Sequence, residues 1–124
     1  MAIIKPFKGL RPPKNKVEEV ACLPYDVMNS EEAANMAKNK SASLLRITRA
    51  EIEFEKGTDP HDEKVYEKAT SNFADFQEKG YLVQDTEEHY YISAQTMNGI
   101  TQYGIVGYAS CEDYLKGRIK KFTK

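Results

Sequence analysis

The sequence contains few of the residues that build metal centres and disulfide frameworks. Among its 124 residues are two cysteines and two histidines. Cys22 and Cys111 lie far apart and show no CxxC spacing, which argues against a zinc motif and against a disulfide framework. Neither His61 nor His89 has a second ligand at a typical spacing. We therefore expect no metal site, two reduced and buried thiols, and ordinary surface or edge histidines.

An excess of charge of one sign and long apolar runs are lacking as well. The 18 basic and 19 acidic residues leave a net charge of −1, so no broad positive field draws the chain to phosphate backbones or anionic lipid. The apolar start of the chain is too short for a signal peptide, and no stretch approaches the ~20 apolar residues of a membrane span. We expect neither nucleic acid nor a membrane as a partner, and we place the protein in the cytoplasm.

Common catalytic signatures are also missing. The sequence has no P-loop, GxGxxG, GxSxG or HExxH pattern, which argues against the enzyme classes that those patterns mark. Candidate residues must be sought among polar side chains beside structural breaks. These are Arg11, Tyr25, Asp26, Arg46, Thr48, Arg49, Gln95, Thr96, Gln102, Lys120 and Lys121.

What the sequence does contain predicts helices at three places. Asn29 with Glu32 three residues later has the form of a capping box, which predicts a helix over residues 30–39. Asp59-Pro60 and Lys79-Gly80 are start and stop signals around an apolar pattern of helical period, which predicts a long helix over residues 60–79. Ser110 is a suitable cap for a third helix beginning at Cys111.

Short apolar or alternating segments predict the strands. Asn98-Gly99 is the preferred pair for a tight hairpin, and it separates two strands at residues 90–96 and 100–109. Further strands are predicted at residues 17–23, 44–48 and 81–84, and residues 51–58 are predicted to form an exposed loop or edge strand. Together these segments predict a single α+β domain, with a mixed or antiparallel sheet and a long helix packed on one face.

Arg46, Thr48 and Arg49 are the best candidates for anion capture, because guanidinium groups bind phosphate or carboxylate bidentately and a hydroxyl adds a donor. Strand alternation over residues 44–48 directs Arg46 and Thr48 the same way. The alternative is that the arginines form surface ion pairs with neighbouring acids, and the commonness of such pairs favours this alternative on sequence alone. The acids concerned are Glu51, Glu53 and Glu55.

The other candidates also have two interpretations. Asp26 has the chemistry of a general base or a metal-binding carboxylate, but aspartate equally stabilises turns, and the turn role is the default interpretation. Lys120 and Lys121 either face a phosphate or keep the chain end soluble. The residues Gln95, Thr96 and Gln102 either bind a polar ligand edge or fill an exposed strand face, and the second interpretation is favoured.

Several motifs, taken in order, resemble the start of the bacterial family catalogued as domain of unknown function 1015. The resemblance extends over nearly the whole chain. The motifs are Pro6-Phe7, Leu10-Arg11-Pro12, Leu23-Pro24-Tyr25-Asp26-Val27, Ile47-Thr48-Arg49-Ala50-Glu51-Ile52, Val65-Tyr66, Gln95-Thr96-Met97-Asn98-Gly99 with Gln102 and Gly104, Asp113-Tyr114, Gly117 and Ile119-Lys120-Lys121.

The resemblance implies that the chain is the amino-terminal segment of a longer protein. It also implies a distant kinship with the ParB and sulfiredoxin-like superfamily, whose members include free-serine kinases that use nucleotide or pyrophosphate donors. On that basis we expect a small anionic metabolite as the partner and a nucleotide or pyrophosphate with Mg²⁺ as the cofactor. A homo-oligomer is compatible with the sequence. The implied site has Asp26 as its catalytic residue, with phosphate and substrate contacts from Arg11, Tyr25, Thr48, Arg49, Gln102, Lys120 and Lys121.

Three positions depart from the family pattern. Leu23 replaces a usual proline, Arg46 a frequent histidine, and Phe122-Thr123 a usual His-Glu pair that would supply acid and base chemistry. The leading hypothesis is a phosphotransferase that acts on serine or a similar metabolite, with this segment inactive by itself. The second is a ligand-binding or interaction module without catalysis. A ParB-like nucleic-acid function is the third, and the near-neutral charge opposes it.

Overall fold

The computed structural model describes residues 2–120, which divide into two compact units. The helical unit runs from Leu10 to Val83. The ribbon unit combines residues 2–9 with residues 84–120. Among residues 2–120, no helix is long and apolar enough to cross a membrane.

The helical unit contains four α-helices joined by short 3₁₀ turns. The helices are α1 (Val17–Val20), α2 (Ser30–Ala37), α3 (Leu45–Thr48) and α4 (Glu63–Glu78). The 3₁₀ turns are Lys14–Lys16, Tyr25–Val27 and Ala50–Glu53. The long helix α4 contacts α3 and the Ala50–Glu53 turn, so these three segments form the frame of the unit.

The ribbon unit is built from short antiparallel pairs. Its strands are β1 (Ile4–Lys5), which pairs with β6 (Tyr108–Ala109), and β4 (Tyr91–Met97), which pairs with β5 (Ile100–Val106). Two further strands, β2 (Leu10–Arg11) and β3 (Val83–Gln84), pair with each other. Helix α5 (Cys111–Leu115) follows β6. The α+β class and the antiparallel sheets are therefore confirmed, whereas the treatment of residues 1–124 as one domain stays a prediction.

Two hydrophobic clusters hold the helical unit together. In one, Phe76 of α4 packs with buried Val20, Ala42 and Leu82. In the other, Leu45 packs with buried side chains of α2 and the preceding turn, which are Met28, Ala33 and Ala37. Phe76 and Leu45 are almost completely removed from water, so each contributes roughly 2–3 kcal/mol of burial free energy.

Hydrogen bonds between distant residues tie the ribbon unit together. Asp113 of α5 is buried, and its carboxylate accepts the N–H of Ile3 at 3.3 Å and a guanidinium N–H of Arg118 at 3.2 Å. The Tyr91 hydroxyl accepts the N–H of Gly9 at 2.6 Å and donates to Asp85 at 2.5 Å. These bonds fasten the start of the chain to its later strands.

The predictions for the hairpin, for α2 and for α5 are confirmed. Asn98 and Gly99 both have positive φ, 53° and 77°, as a two-residue hairpin turn requires. The Asn29 side chain accepts the N–H of Glu32 at 2.8 Å, while the Glu32 carboxylate accepts the N–H of Asn29, so the capping box is complete. Ser110 caps α5 by accepting the N–H of Glu112.

Two predicted strands are helices, because a short apolar run does not distinguish the two structures. Residues 44–48 were predicted as a strand but form α3, in which Leu45 enters one hydrophobic cluster while Leu44 and Ile47 enter the other. Residues 17–23 likewise begin with α1, whose first turn contains two acids that complement the helix dipole.

The start of α4 and the segment before it also differ from the prediction. The helix begins at Glu63, because Asp62 caps it by accepting the N–H of Lys64 at 3.1 Å. Asp59 instead accepts the N–H of His61 at 2.9 Å within a separate turn. The segment predicted as an exposed loop over residues 51–58 begins inside a 3₁₀ turn in which Glu51 is buried.

The prediction that both cysteines are buried is wrong. Cys22 follows the end of α1 in an extended segment and Cys111 is the first residue of α5, and both residues are exposed. Even so, partial burial of the Cys22 thiol raises its pKa above the ordinary value.

Candidate functional site

A cleft of about 370 Å³ in the helical unit gathers several of the candidate polar residues. It lies where the Tyr25–Val27 turn, the end of α3, the Ala50–Glu53 turn and the start of α4 come together. Its apolar wall comes from α3 and α4. Its polar lining residues are Tyr25, Thr48, Arg49, Glu51, His61 and Tyr66.

Arg49 is held in this cleft by three neighbours. One terminal nitrogen donates to the carbonyl of Tyr25 at 3.2 Å and the other to the hydroxyl of Ser30 at 3.0 Å. Its Nε lies 2.8 Å from Glu51 Oε1, but the N–H is not directed at that oxygen, so the contact is a charge pair without an aligned hydrogen bond. The guanidinium group is therefore fixed in place by the protein itself.

Glu51 is the buried partner that fixes Arg49. Its side chain is 4% exposed, and its Oε1 also accepts the hydroxyl hydrogen of Ser30 at 2.9 Å. Ser30 is the first residue of α2. Arg49, Glu51 and Ser30 thus contact one another at the side of the cleft. The carboxylate of Glu51 neutralises much of the Arg49 charge.

Arg46 lies in a different environment from Arg49. Its guanidinium group donates to the carbonyls of Ala37 at 2.8 Å and Lys40 at 3.0 Å, the first in the last residue of α2 and the second just after it. It also pairs with Glu53 at 3.0 Å, and Asn72 of α4 donates to the same carboxylate at 2.6 Å. For Arg46 the ion-pair alternative is correct, and the residue is structural.

Thr48 and Arg46 point in different directions, because residues two apart on a helix are separated by roughly 200° around the axis. The expectation that they point the same way is therefore wrong, since it rested on a strand. Thr48 is exposed at the cleft, and its hydroxyl donates to the carbonyl of Leu44 at 3.3 Å. Because a hydroxyl hydrogen can rotate, Thr48 can turn it from this carbonyl to an anionic ligand.

The family of the chain follows from comparison with known sequences. A family model described as "Protein of unknown function (DUF1015)" matches residues 4–122. The chain belongs to this family. No curated protein and no solved structure matches it.

The structure of this DUF1015 chain brings three of the predicted residues together, namely Tyr25, Thr48 and Arg49. Asp26 is exposed in the same 3₁₀ turn as Tyr25, although its side chain is not part of the cleft lining. Arg11 is exposed on β2 of the same unit.

The remaining predicted residues belong elsewhere. Gln102 lies in β5 of the ribbon unit, directly opposite Gln95, and Lys120 is exposed in the same unit. Lys121 and the Phe122-Thr123 departure lie outside the described residues. Among residues 2–120, no three His, Cys, Asp or Glu side chains form a cluster suited to a metal ion.

Sequence reasoning missed the buried part of the site. Glu51 was assigned to an exposed segment, and Ser30 was seen only as a helix residue. The available signal was the apolar pair Ala50 and Ile52 on either side of Glu51, which indicates that this turn packs against the interior. His61, 82% exposed in its side chain, was treated as an ordinary surface histidine but lines the cleft.

Proposed function

We propose that this DUF1015 chain binds a small anionic metabolite in the Arg49 cleft. The observation that carries the proposal is a guanidinium group fixed by Glu51 and Ser30 at the edge of a 370 Å³ cleft. A charged donor held in advance loses little conformational entropy when a ligand arrives, so it favours binding. Ligand pockets of a few hundred cubic ångströms are typical for small molecules.

The donors available at the cleft suit a carboxylate or phosphate. Arg carries two N–H bonds on each terminal nitrogen, and the contacts within the described chain use one of each. Thr48, Tyr66 and the imidazole of His61 add further polar atoms around the same space. Because Glu51 already offsets the Arg49 charge, we expect binding to depend on several hydrogen bonds rather than on net charge.

The test is calorimetric titration of the protein with L-serine, L-phosphoserine, pyrophosphate and ATP. Thr48→Val removes one hydroxyl from the cleft. Thr70→Val is the matched control, since Thr70 is also exposed and its hydroxyl also donates to the carbonyl four residues earlier, at 3.0 Å, but it lies outside the cleft lining. We expect Thr48→Val to weaken binding of an anion roughly tenfold and Thr70→Val to leave it unchanged.

Equal loss in both variants, or no binding of any anion by folded protein, would contradict the proposal. Far-UV circular dichroism of each variant shows whether it remains folded. A loss of binding with retained helix content then reports on the cleft alone.

A second candidate function is transfer of a phosphoryl group to serine or a similar metabolite. The position of Asp26 favours it, because Asp26 follows Tyr25, whose carbonyl is bonded to Arg49, and its carboxylate is exposed at the same turn. In this reaction the substrate hydroxyl attacks the terminal phosphorus of ATP or pyrophosphate. Asp26 accepts the hydroxyl proton, while ADP or phosphate leaves. Arg49 stabilises the transferred group.

The assay for this candidate detects phosphoserine by mass spectrometry after incubation with L-serine, Mg²⁺ and each donor. Asp26→Asn should abolish product, whereas Asp75→Asn should not, since Asp75 lies on α4 in an exposed pair with Lys79. Binding of anions without product from any donor would leave the binding function and reject the transferase.

A further inference from the structure

One face of the β4–β5 ribbon is apolar and has no covering element within the described chain. The register places Ile92 opposite Ile105 and Ala94 opposite Tyr103 on this face, which we call the ribbon face. Ile92, Ile105 and Tyr103 are 77%, 78% and 75% exposed. Thr96 and Thr101 end this face at the hairpin turn. The opposite face carries the polar pair Gln95 and Gln102, and also Met97 and Ile100 beside the turn.

The ribbon carries no charge. Residues 90–111 contain no Lys, Arg, Asp, Glu or His, in a chain in which 30% of the residues are charged. An exposed apolar patch rimmed by polar residues marks a site of contact with another surface. That surface must also be uncharged, because a charge facing the ribbon would lose its water without gaining a partner.

A groove of about 700 Å³ lies at the base of the ribbon face. It is lined by Ile4, Tyr90, Tyr91, Ile92, Ile105 and Gly107. At Gly107 a Cβ atom would lie only 2.8 Å from Ile4 Cγ2, so the close approach of these residues requires glycine. Tyr103 projects from the same face nearer the hairpin turn, four residues from Gly107, which is about 13 Å along a strand. The face therefore carries an aromatic projection at one end and an apolar groove at the other.

We propose that two copies of this chain pair through the ribbon face, with Tyr103 of each copy in the groove of the other. In a two-fold contact the same patch serves both partners, and each residue i that meets j is matched by j meeting i. An axis through the Ile92–Ile105 pair, midway between Tyr103 and Gly107, places each projection over the other copy's groove. It also brings the two isoleucine pairs together at the centre.

Self-pairing is favoured over another partner because the ribbon face is itself an uncharged apolar surface with complementary ends. Two identical charged faces would repel each other, whereas two identical uncharged faces do not. A two-stranded ribbon is also marginally stable alone, so a second copy covering this face stabilises the strands. Tyrosine is among the residues that most often anchor protein interfaces.

The test is the mass of the protein in solution, measured by sedimentation over roughly a hundredfold range of concentration. We expect a monomer–dimer equilibrium. Ile105→Lys places two charges at the two-fold axis and should abolish the dimer, while Tyr103→Ala should weaken it roughly tenfold or more. Gln95→Lys is the matched control, because it adds the same charge to the ribbon on the opposite face.

A dimer in the unchanged protein and in Gln95→Lys, with a monomer in Ile105→Lys, supports the proposal. A monomer at every concentration overturns it, and so does a dimer that persists in Ile105→Lys. Far-UV circular dichroism identifies any variant that fails to fold. Tyr103→Ala, which adds no charge, then provides the independent comparison.

Discussion

The helical unit and the ribbon unit differ in where their apolar side chains lie. Every buried hydrophobic side chain among residues 2–120 belongs to the helical unit. In the ribbon unit all of β5 is exposed, and the buried anchor is polar, the carboxylate of Asp113. One unit thus buries its apolar side chains in a core of its own, while the other leaves most of them exposed.

The candidate cleft lies in the unit that has its own core. Arg49 directly precedes the Ala50–Glu53 turn and Glu51 lies within it, and both α3 and α4 contact this turn. A binding site built on a packed frame keeps its donors in position without a ligand. The ribbon lacks such a frame, so we assign it to association rather than to ligand binding.

The largest effect should come from removing a core side chain of the helical unit. Phe76 is 2% exposed, and Phe76→Ala should lower the free energy of unfolding by about 3–5 kcal/mol. Phe73→Ala is the control on the same helix, since Phe73 is 41% exposed and should cost under about 1 kcal/mol. Urea unfolding followed by circular dichroism measures both. Equal losses would mean that α4 does not bury the face described here.

Removing the charge that holds Arg49 should have the next largest effect. Glu51→Gln leaves the guanidinium group partly buried without its charge partner, which should cost about 2 kcal/mol and weaken anion binding through lost positioning. Glu55→Gln changes an exposed acid of the same segment and should alter neither quantity. Urea unfolding and calorimetry give the two readings. Unchanged stability in Glu51→Gln would contradict the structural role of this pair.

A smaller and more local effect is expected at the hairpin turn. Gly99 has a φ of 77°, so Gly99→Ala should destabilise the ribbon by about 1 kcal/mol. Gly104→Ala is the control, because Gly104 lies in the middle of β5 with open space at its Cβ position. Amide hydrogen exchange of β4 and β5 should accelerate in Gly99→Ala while that of α4 stays constant. Equal acceleration in both units would argue against their separate stabilities.

The smallest effect concerns the Cys22 thiol. Its burial raises the pKa above the ordinary value of 9.0, so the folded state retains the proton to higher pH than the unfolded state does. This group therefore contributes stability below pH 9 that is lost as pH rises through the folded pKa. The rate of alkylation of Cys22 can be measured as a function of pH in Cys111→Ser protein. Its midpoint should lie at a higher pH in the folded protein than in the same chain unfolded in urea. A midpoint at or below the unfolded value would contradict partial burial.

Local signals in the sequence predicted the parts of the fold that depend on local chemistry. The Asn29–Glu32 box, the Asn98-Gly99 turn and the Ser110 cap each act within a few residues, and all three are present. The α3 helix was missed because its short apolar run acquires a definite structure only when Leu45 packs against α2.

The candidate site was predictable in the same partial way. Thr48 and Arg49 were candidates because of their chemistry, although ion pairing was favoured for the arginines, and Arg49 does pair with Glu51. The burial of Glu51 depends on how the Ala50–Glu53 turn packs against α2, which no spacing within the sequence specifies. The structural role of Arg46 likewise depends on the carbonyls of Ala37 and Lys40 at the end of α2. Only the fold therefore distinguishes the role of Arg46 from that of Arg49.

The most direct test of the anion-binding proposal is a nuclear magnetic resonance titration of the isotope-labelled protein with pyrophosphate and L-phosphoserine. The proposal predicts saturable shifts of the Thr48, Arg49 and His61 amides and of the Arg49 Nε–H, with the β4–β5 amides unchanged. Shifts confined to the ribbon, or no saturable shift at millimolar ligand, would contradict it.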